Sequence, residues 1–356
     1  MILTSLRLVH WRGYEKEELT FAPGLTVIRG RNGSGKTNLA EAIYFLSLAR
    51  SWRTSDESLL IQGGQDSASL LAEVEEGQLH RKILIELGKG AKRVEINGKP
   101  CHRLSELSKV VNVVSFSPED VSLFRGSPAT RRSYLDIALS KQKPEYLALA
   151  SRYAKLLRER NAELKSLAPD PSLLDVLTQQ MVELEEPIVD YRRHYLDSLN
   201  KVLPDLLSRL AGEKTPCEVV YRPFVKEGEG FKERALKAYS ETREADLARH
   251  TTSVGVHRED FSFRYREEDV GDFGSQGENR IASLATKLAP YLLIEEEGKK
   301  PIAVLDDVTS ELDQPHVACL LDVLKGFSQV FLTATELEIE GASVIEVASN
   351  HATRRK

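Results

Sequence analysis

Cysteine is scarce in this chain. Cys101, Cys217 and Cys319 are three in 356 residues, odd in number and far apart, so neither a disulfide framework nor a zinc ribbon can be read from them. A reducing cytoplasm is the expected setting. Long apolar runs are missing too: none approaches the roughly 18 residues that span a bilayer. The first residues, MILTSLRLVHWRGYE, lack the apolar core of a signal peptide. Charge of one sign does not dominate, since 49 Lys and Arg stand against 54 Asp and Glu for a net charge of -5. That balance excludes a globally basic nucleic-acid coat and leaves room for a local basic cleft. Internal repeats and low-complexity tracts are absent, which excludes a repeat architecture. What remains is an ordinary globular composition, 41% hydrophobic and 29% charged, long enough for two or three domains or for one large domain with an inserted lobe.

Residues 30 to 37 read GRNGSGKT, after the apolar run Leu25, Val27, Ile28 and before the helical pattern Leu39, Ala40, Ala42, Ile43, Leu46. Strand, glycine loop and helix in that order make a phosphate-binding loop rather than a chance glycine-rich turn. Gly30, Gly33 and Gly35 let backbone N–H groups turn inward on a triphosphate. Lys36 reaches the β- and γ-phosphates, Thr37 offers a hydroxyl to Mg²⁺, and the helix N-terminus faces the anion. Gly30, Arg31, Asn32, Gly33, Ser34, Gly35, Lys36, Thr37 and Asn38 are therefore the expected ATP-binding stretch.

Around this loop the sequence predicts an α/β head. Strands are expected at 2–9, from Leu19 to Phe21, at 67–76, 79–88 and 92–98 with Asn97-Gly98 as a turn, and at 110–116. At Ser127-Pro128 the character changes, with Ser127 a helix cap and Pro128 in the first turn. Residues 126–212 then read as an inserted helical lobe, a hairpin broken at Ala168 to Pro171. Strands return at 217–222 and 261–266, with a helix over 231–249. The expected division is 1–125 with 213–356 as the head, and 126–212 as the lobe.

Ile302 to Leu305 form a continuous apolar run suited to a parallel strand covered on both faces. It ends in Asp306 and Asp307, placed to hold Mg²⁺ and to orient the attacking water respectively; a helix-capping turn is the alternative reading. Upstream, Gly274-Ser275-Gln276-Gly277-Glu278 leads into the helix pattern Ile281, Ala282, Leu284, Ala285, Leu288. This stands about thirty residues before the aspartates, where an ABC-type ATPase carries its signature motif.

GRNGSGKTNLAEAIYFL, VVSFSPEDVSLFRGSPATRRSYLD, TTSVGVHREDF, GSQGENR and LDDVTSELD together resemble the RecF family of bacterial recombination mediators, over essentially the whole length. The resemblance implies an ABC/SMC-like P-loop ATPase head with an antiparallel β subdomain and an inserted helical lobe. It implies that ATP closes a head-to-tail homodimer on double-stranded DNA near single-strand gaps, that RecR with RecO is the partner, and that RecA loading is the outcome. By the same resemblance Ser275, Gln276, Gly277 and Glu278 cap the partner's ATP, and Ser310 to Asp313 form the loop that communicates across the dimer. Arg12 resembles an arginine brought to the nucleotide, although a surface arginine after an edge strand is commoner. Asp307 and Lys36 would be the catalytic residues.

The departures are specific. The signature ends in Glu278 where many relatives have Gln, and Val256 stands where Pro is usual; neither is expected to abolish function. No histidine lies between His316 and His351 to act as a transporter-type switch, leaving Thr333 or Thr335. Glu119 or Asp120 replaces the transporter's Q-loop glutamine. Asp307, a methylene shorter than Glu, predicts slow hydrolysis, so that ATP acts as a dimerisation switch. Basic clusters at Lys89, Lys92, Arg93 and Lys99, at Arg131 and Arg132, at Arg152, Arg158 and Arg160, at Arg192 and Arg193, and at Arg354 to Lys356 are candidate phosphate contacts or solvated faces. The rival readings are the ATPase subunit of an ABC transporter and that of an SMC-like nuclease complex.

Overall fold

The computed structural model describes residues 1–88, 90–101, 104–226, 228–294 and 299–354. In chain order β1 (Ile2–Trp11), β2 (Tyr14–Thr20) and β3 (Gly24–Arg29) precede α1 (Lys36–Leu48). Next come β4 (Ser67–Glu76), β5 (Leu79–Gly88), β6 (Ala91–Ile96), the short β7 (Lys99–Pro100), α2 (Leu104–Val110) and β8 (Val113–Phe116). Helices α3 (Pro128–Gln142), α4 (Pro144–Leu164), α5 (Pro171–Asn200) and α6 (Leu203–Ala211) follow. They lead to β9 (Cys217–Arg222), α7 (Phe231–Arg249), β10 (Asp260–Tyr265), β11 (Glu268–Asp269) and α8 (Gln276–Leu292). The remainder is β12 (Ile302–Leu305), α9 (Gln314–Leu324), β13 (Gln329–Ala334), β14 (Ser343–Ala348) and β15 (His351–Arg354).

Two compact units emerge: Met1–Val121 with Asp205–Lys214 and Ser283–Lys356, and Ser122–Pro204 with Thr215–Ala282. In the first, an antiparallel sheet runs β2-β1-β4-β5-β6-β7. Period-two alternation turns Leu6 and Leu8 of β1, Leu70, Ala72 and Val74 of β4, and Ile83 and Ile85 of β5 to one buried face, and a register shift between Leu3 and Ser5 brings Leu3 to it as well. Registers Leu70↔Ile85 and Ala72↔Ile83 keep those side chains opposite one another. Asn97 and Gly98 take left-handed φ of 52° and 75° in the expected turn.

The second sheet of this unit runs β15-β14-β3-β13-β12-β8. Only the β14–β15 pair is antiparallel; β3, β8, β12, β13 and β14 are parallel, and β12 and β13 are buried along their whole length. Helix α1 joins the core shared by the two sheets, with Leu39, Ile43, Phe45 and Leu46 beside Leu6, Val304 and Phe331. Each such side chain contributes about 1.5–3 kcal/mol of burial. Buried Gln329 ties the sheets together. Its amide accepts from Leu3 N at 2.8 Å and donates to Leu3 O at 2.9 Å and Ala22 O at 3.0 Å. The expected strand at 110–116 is shorter than predicted, since Val110 ends α2 and pairing starts at Val113. Val110 and Val111 prolong the apolar run without belonging to the sheet.

In the second unit Ser127 caps α3 by accepting from Thr130 N, and Asp170 caps α5 by accepting from Ser172 N at 2.8 Å. Helices α4 and α5 form the expected hairpin about the 168–171 break. A three-stranded sheet β11-β10-β9 belongs to this same unit. That differs from the expected division, which gave residues 213–282 to the head. Helix α5 packs on β9 and α7, and α3 packs on β10, and ion pairs join the same elements: Arg131 forks onto Asp260 at 2.7 and 2.8 Å, Arg192 meets Glu259 at 2.7 Å, and Arg160 of α4 meets Asp246 of α7 at 2.9 Å. Residues 205–214 group with the first unit, where Arg209 pairs with Asp322.

Candidate nucleotide-binding site

Strand β3 delivers residues 30 to 35 to the N-terminus of α1. Gly33 and Gly35 adopt φ of 77° and 112°, conformations open to glycine. Arg31, Asn32 and Gly33 are exposed, and Ser34 N donates to Arg31 O at 3.2 Å to tighten the turn. Lys36 is largely buried, and its Nζ donates to Gly30 O at 2.7 Å and Arg31 O at 2.9 Å. Burial draws the Lys36 pKa down, while the nearby carboxylates of Asp307 and Asp306 work in the opposite direction.

Thr37 Oγ1 donates to Asp306 Oδ1 at 3.1 Å, and Thr333 Oγ1 donates to the same oxygen at 2.7 Å. The phosphate loop, the end of β12 and the end of β13 thus converge on one carboxylate. Burial raises the pKa of Asp306, and the two hydroxyls partly offset this. Asp307 holds a left-handed φ of 52°, and its N–H donates to Thr333 Oγ1 at 2.9 Å. The capping-turn alternative for the aspartate pair is therefore not what the structure has, because neither side chain caps the following turn. Thr333, one of the two threonines singled out, sits on this pair. Asp120, offered as the Q-loop substitute, is held by Ser117 N at 2.8 Å and by Lys287 at 2.6 Å.

Arg12 is committed elsewhere. Its guanidinium forks onto Glu41 at 2.9 and 2.7 Å and donates to Leu59 O at 2.9 Å. Glu41, a fully buried residue of α1, also accepts from Ser51 and lies 3.5 Å from Arg53. Sequence reasoning missed Glu41, although a glutamate between Ala40 and Ala42 in an apolar helix was a usable signal. Arg53, also missed, donates to Asn38 Oδ1 at 3.0 Å.

Ser275 and Glu278, in the second unit, cap α8 reciprocally: Glu278 Oε2 accepts from Ser275 N at 2.7 Å and Ser275 Oγ accepts from Glu278 N at 3.2 Å. Hydrogen bonds to the carboxylate from the Ser275 N–H and hydroxyl hold the Glu278 carboxyl below its ordinary range. Gln276 and Gly277 are exposed at the first turn, and Phe273 beside them is 74% exposed. Asp313 caps α9 by accepting from His316 N at 3.0 Å.

Several basic clusters are internal. Arg160 and Arg192 are buried against Asp246 and Glu259, Arg131 is forked on Asp260, and Lys92 pairs with Glu57. Lys99, Arg152, Arg158 and Arg354 are exposed. Lys89, Arg355 and Lys356 lie outside the described residues. No helix among the described residues is long and apolar enough to cross a membrane.

The family model of the RecF/RecN/SMC N-terminal domain matches residues 2–352. The DNA replication and repair protein RecF of Geobacillus kaustophilus is 39% identical over 372 aligned positions, covering 99% of each chain. That of Lactobacillus delbrueckii subsp. bulgaricus is 37% identical, covering 97% of this chain and 94% of its own. A solved structure of the recombination mediator protein RecF-ATP in the RecFOR pathway superposes with a TM-score of 0.91 at 30% identity, covering 99% of this chain and 97% of that one. An Smc head domain from Pyrococcus furiosus shares the fold at a TM-score of 0.59 and 16% identity, covering 99% of this chain and 95% of its own. The fold is thus that of an ABC/SMC-like ATPase head.

Proposed function

We propose, on the premise that this chain belongs to the RecF family, that it is an ATP-dependent DNA-binding protein of recombinational repair. The observation that carries the nucleotide part is the convergence of Thr37 and Thr333 on Asp306, beside the Lys36 amine. The residues fit Mg-ATP: buried Ser34 Oγ has no protein hydrogen-bond partner, Gly33 has open space where a Cβ would stand, and a hydroxyl–carboxylate pair is a hard-cation donor set.

Residues 30 to 38 would cradle the triphosphate, Lys36 would neutralise its β- and γ-oxygens, and Thr37 and Asp306 would hold Mg²⁺. When bound, the metal withdraws charge from the transferring phosphoryl group. Asp307 would orient the attacking water, and its short side chain makes turnover slow. Ser275 to Glu278 would present N–H groups and a hydroxyl to ATP held by a second copy, so that binding is itself an association event. Asp313, as the cap of α9, would fix the loop that meets the partner. Arg12 would act on the nucleotide only indirectly, through Glu41 of α1.

From the family and the RecFOR pathway of its relatives we extend the reading to duplex DNA at single-strand gaps, to RecR with RecO, and to loading of RecA. DNA contact would be to phosphates and so salt-sensitive. The test is the size of the protein in solution with and without ATP, together with duplex binding at two salt concentrations. A dimer only with ATP, and DNA binding that weakens with salt, are expected. A chain that stays monomeric with ATP and ignores duplex at low salt overturns the reading.

A further inference from the structure

Strands β14 and β15 meet in a two-residue turn, Ser349-Asn350, with φ of 50° and 59° between the paired Ala348 and His351. The tip of this hairpin rests on the phosphate loop. Asn350 N–H donates to Ser34 O at 2.7 Å. A Cβ on Gly35 would stand 2.5 Å from Asn350 Oδ1, and a Cβ on Gly30 would stand 2.2 Å from Val347 O of β14. Two of the three loop glycines are therefore closed off by the hairpin, and Gly33 alone of the three has open space.

The hairpin is anchored from the other sheet. Ala352 N donates to Glu17 Oε2 at 3.0 Å, and His351 lies 3.4 Å from the same carboxylate. Tyr14 OH, also on β2, donates to Gly35 O at 3.0 Å. Between β1 and β2, Gly13 makes room for the Asn350 amide, since a Cβ there would be 2.4 Å from its Cγ and Nδ2. Loop carbonyls at 34 and 35 are thus held by groups from outside the loop.

We propose that Asn350 is a positioning residue for nucleotide binding. The β14–β15 hairpin is the backing that sets the phosphate loop in its anion-binding shape, with the Asn350 N–H bond to Ser34 O as the contact. This rests on reading residues 30–37 as an ATP site. Orientation of binding groups to within about 1 Å decides their strength, so a backing that shifts should be felt at the phosphates.

Gly13→Ala tests it, because Gly13 lies outside the loop and its added methyl presses on the Asn350 amide. ATP affinity should fall roughly tenfold with the thermal unfolding midpoint little changed. Adding Asn350→Gly, which keeps a left-handed turn and its N–H but removes the amide, should restore affinity to within about threefold of wild type. A Gly13→Ala protein that binds ATP like wild type overturns the proposal, as does a double variant no better than the single. Should Gly13→Ala fail to fold, hydrogen exchange on the wild type decides: a slowly exchanging Asn350 amide is expected, and one exchanging as fast as an exposed loop amide overturns it. Wild type that does not bind ATP at all would overturn the functional reading instead.

Discussion

Thr333 Oγ1 stands 2.7 Å from Asp306 Oδ1 and 2.9 Å from Asp307 N. With its one proton given to the carboxylate and a lone pair to the amide, a single hydroxyl fixes both aspartates. Thr333→Val keeps the shape and removes both bonds. The expected result is hydrolysis reduced by roughly tenfold and stability lowered by about 1–3 kcal/mol, the cost of leaving buried polar groups unpaired. Thr333→Ser should recover most of both. Single-turnover hydrolysis and urea unfolding measure the two effects, and a Val variant with normal turnover would remove Thr333 from the site.

Asp307→Asn separates binding from turnover. Asn tolerates the left-handed backbone that Asp307 adopts, so the fold should be kept. The amide is a poor acceptor for a proton from water. ATP-driven dimers should therefore form and persist, with hydrolysis falling by roughly 10² or more. Unchanged phosphate release would show that another group orients the water.

Ser275→Asp separates the cap from the proposed phosphate contact. Aspartate caps helices about as well as serine, so α8 and the unfolding free energy should change by less than about 0.5 kcal/mol. A carboxylate beside the γ-phosphate of a partner's ATP repels it, and ATP-dependent dimerisation should be lost. Sedimentation with and without ATP reads this, and a variant that still dimerises rules out the composite site.

Glu185 and His257 give a pH signature. Burial pushes the Glu185 carboxyl from 4.5 up to about 7 and the His257 imidazole from 6.5 down to about 4. His257 Nε2 donates to Thr252 O at 3.0 Å, which leaves Nδ1 to accept from Tyr153 OH at 2.7 Å. Between pH 4.5 and 7 the folded glutamate keeps a proton that the unfolded one has lost, so its contribution to stability falls as pH rises. Between pH 4 and 6.5 the unfolded histidine holds a proton that the folded one lacks, so its contribution rises. The two slopes oppose each other over their overlap. Glu185→Gln deletes only the falling one. Its unfolding free energy minus that of wild type should climb by about 1.4 kcal/mol per pH unit from pH 5 to 6.5. Urea titrations at several pH values check this, and a difference that stays flat with pH refutes the shifted carboxyl.

Arg160 closes a basic cluster in the sequence but is buried on Asp246, Thr252 and Thr178. Arg160→Met should leave Asp246 buried and unpaired, costing about 3–5 kcal/mol. The salt dependence of DNA binding by the folded fraction should not change. A stable variant with a weaker salt slope would place Arg160 on DNA.

The motif-bearing parts of the fold were legible because they are local. A glycine loop between a strand and a helix, an apolar strand ending in two aspartates, and serine or aspartate before a helix all declare themselves within about ten residues. What was not legible depends on distant partners. Nothing near Arg12 announces Glu41, and nothing near Arg131, Arg160 or Arg192 says that their charges are consumed by Asp260, Asp246 and Glu259. The pairs on Asp260 and Glu259 also tie β10 to the helical unit, against the expected division. Val110 and Val111 misled for the opposite reason, since a short apolar run reads the same in a helix end and in a strand.

Strand β3 lies between β13 and β14, and so its two neighbours are made some three hundred residues after it. A ribosome producing this chain makes the phosphate loop with neither flanking strand yet in existence. Chain growth is slow beside local folding, at about 5–20 residues per second, so that interval lasts many seconds. Over that time the loop waits for both of its neighbouring strands, and a nascent chain stalled before β13 holds the motif without the site.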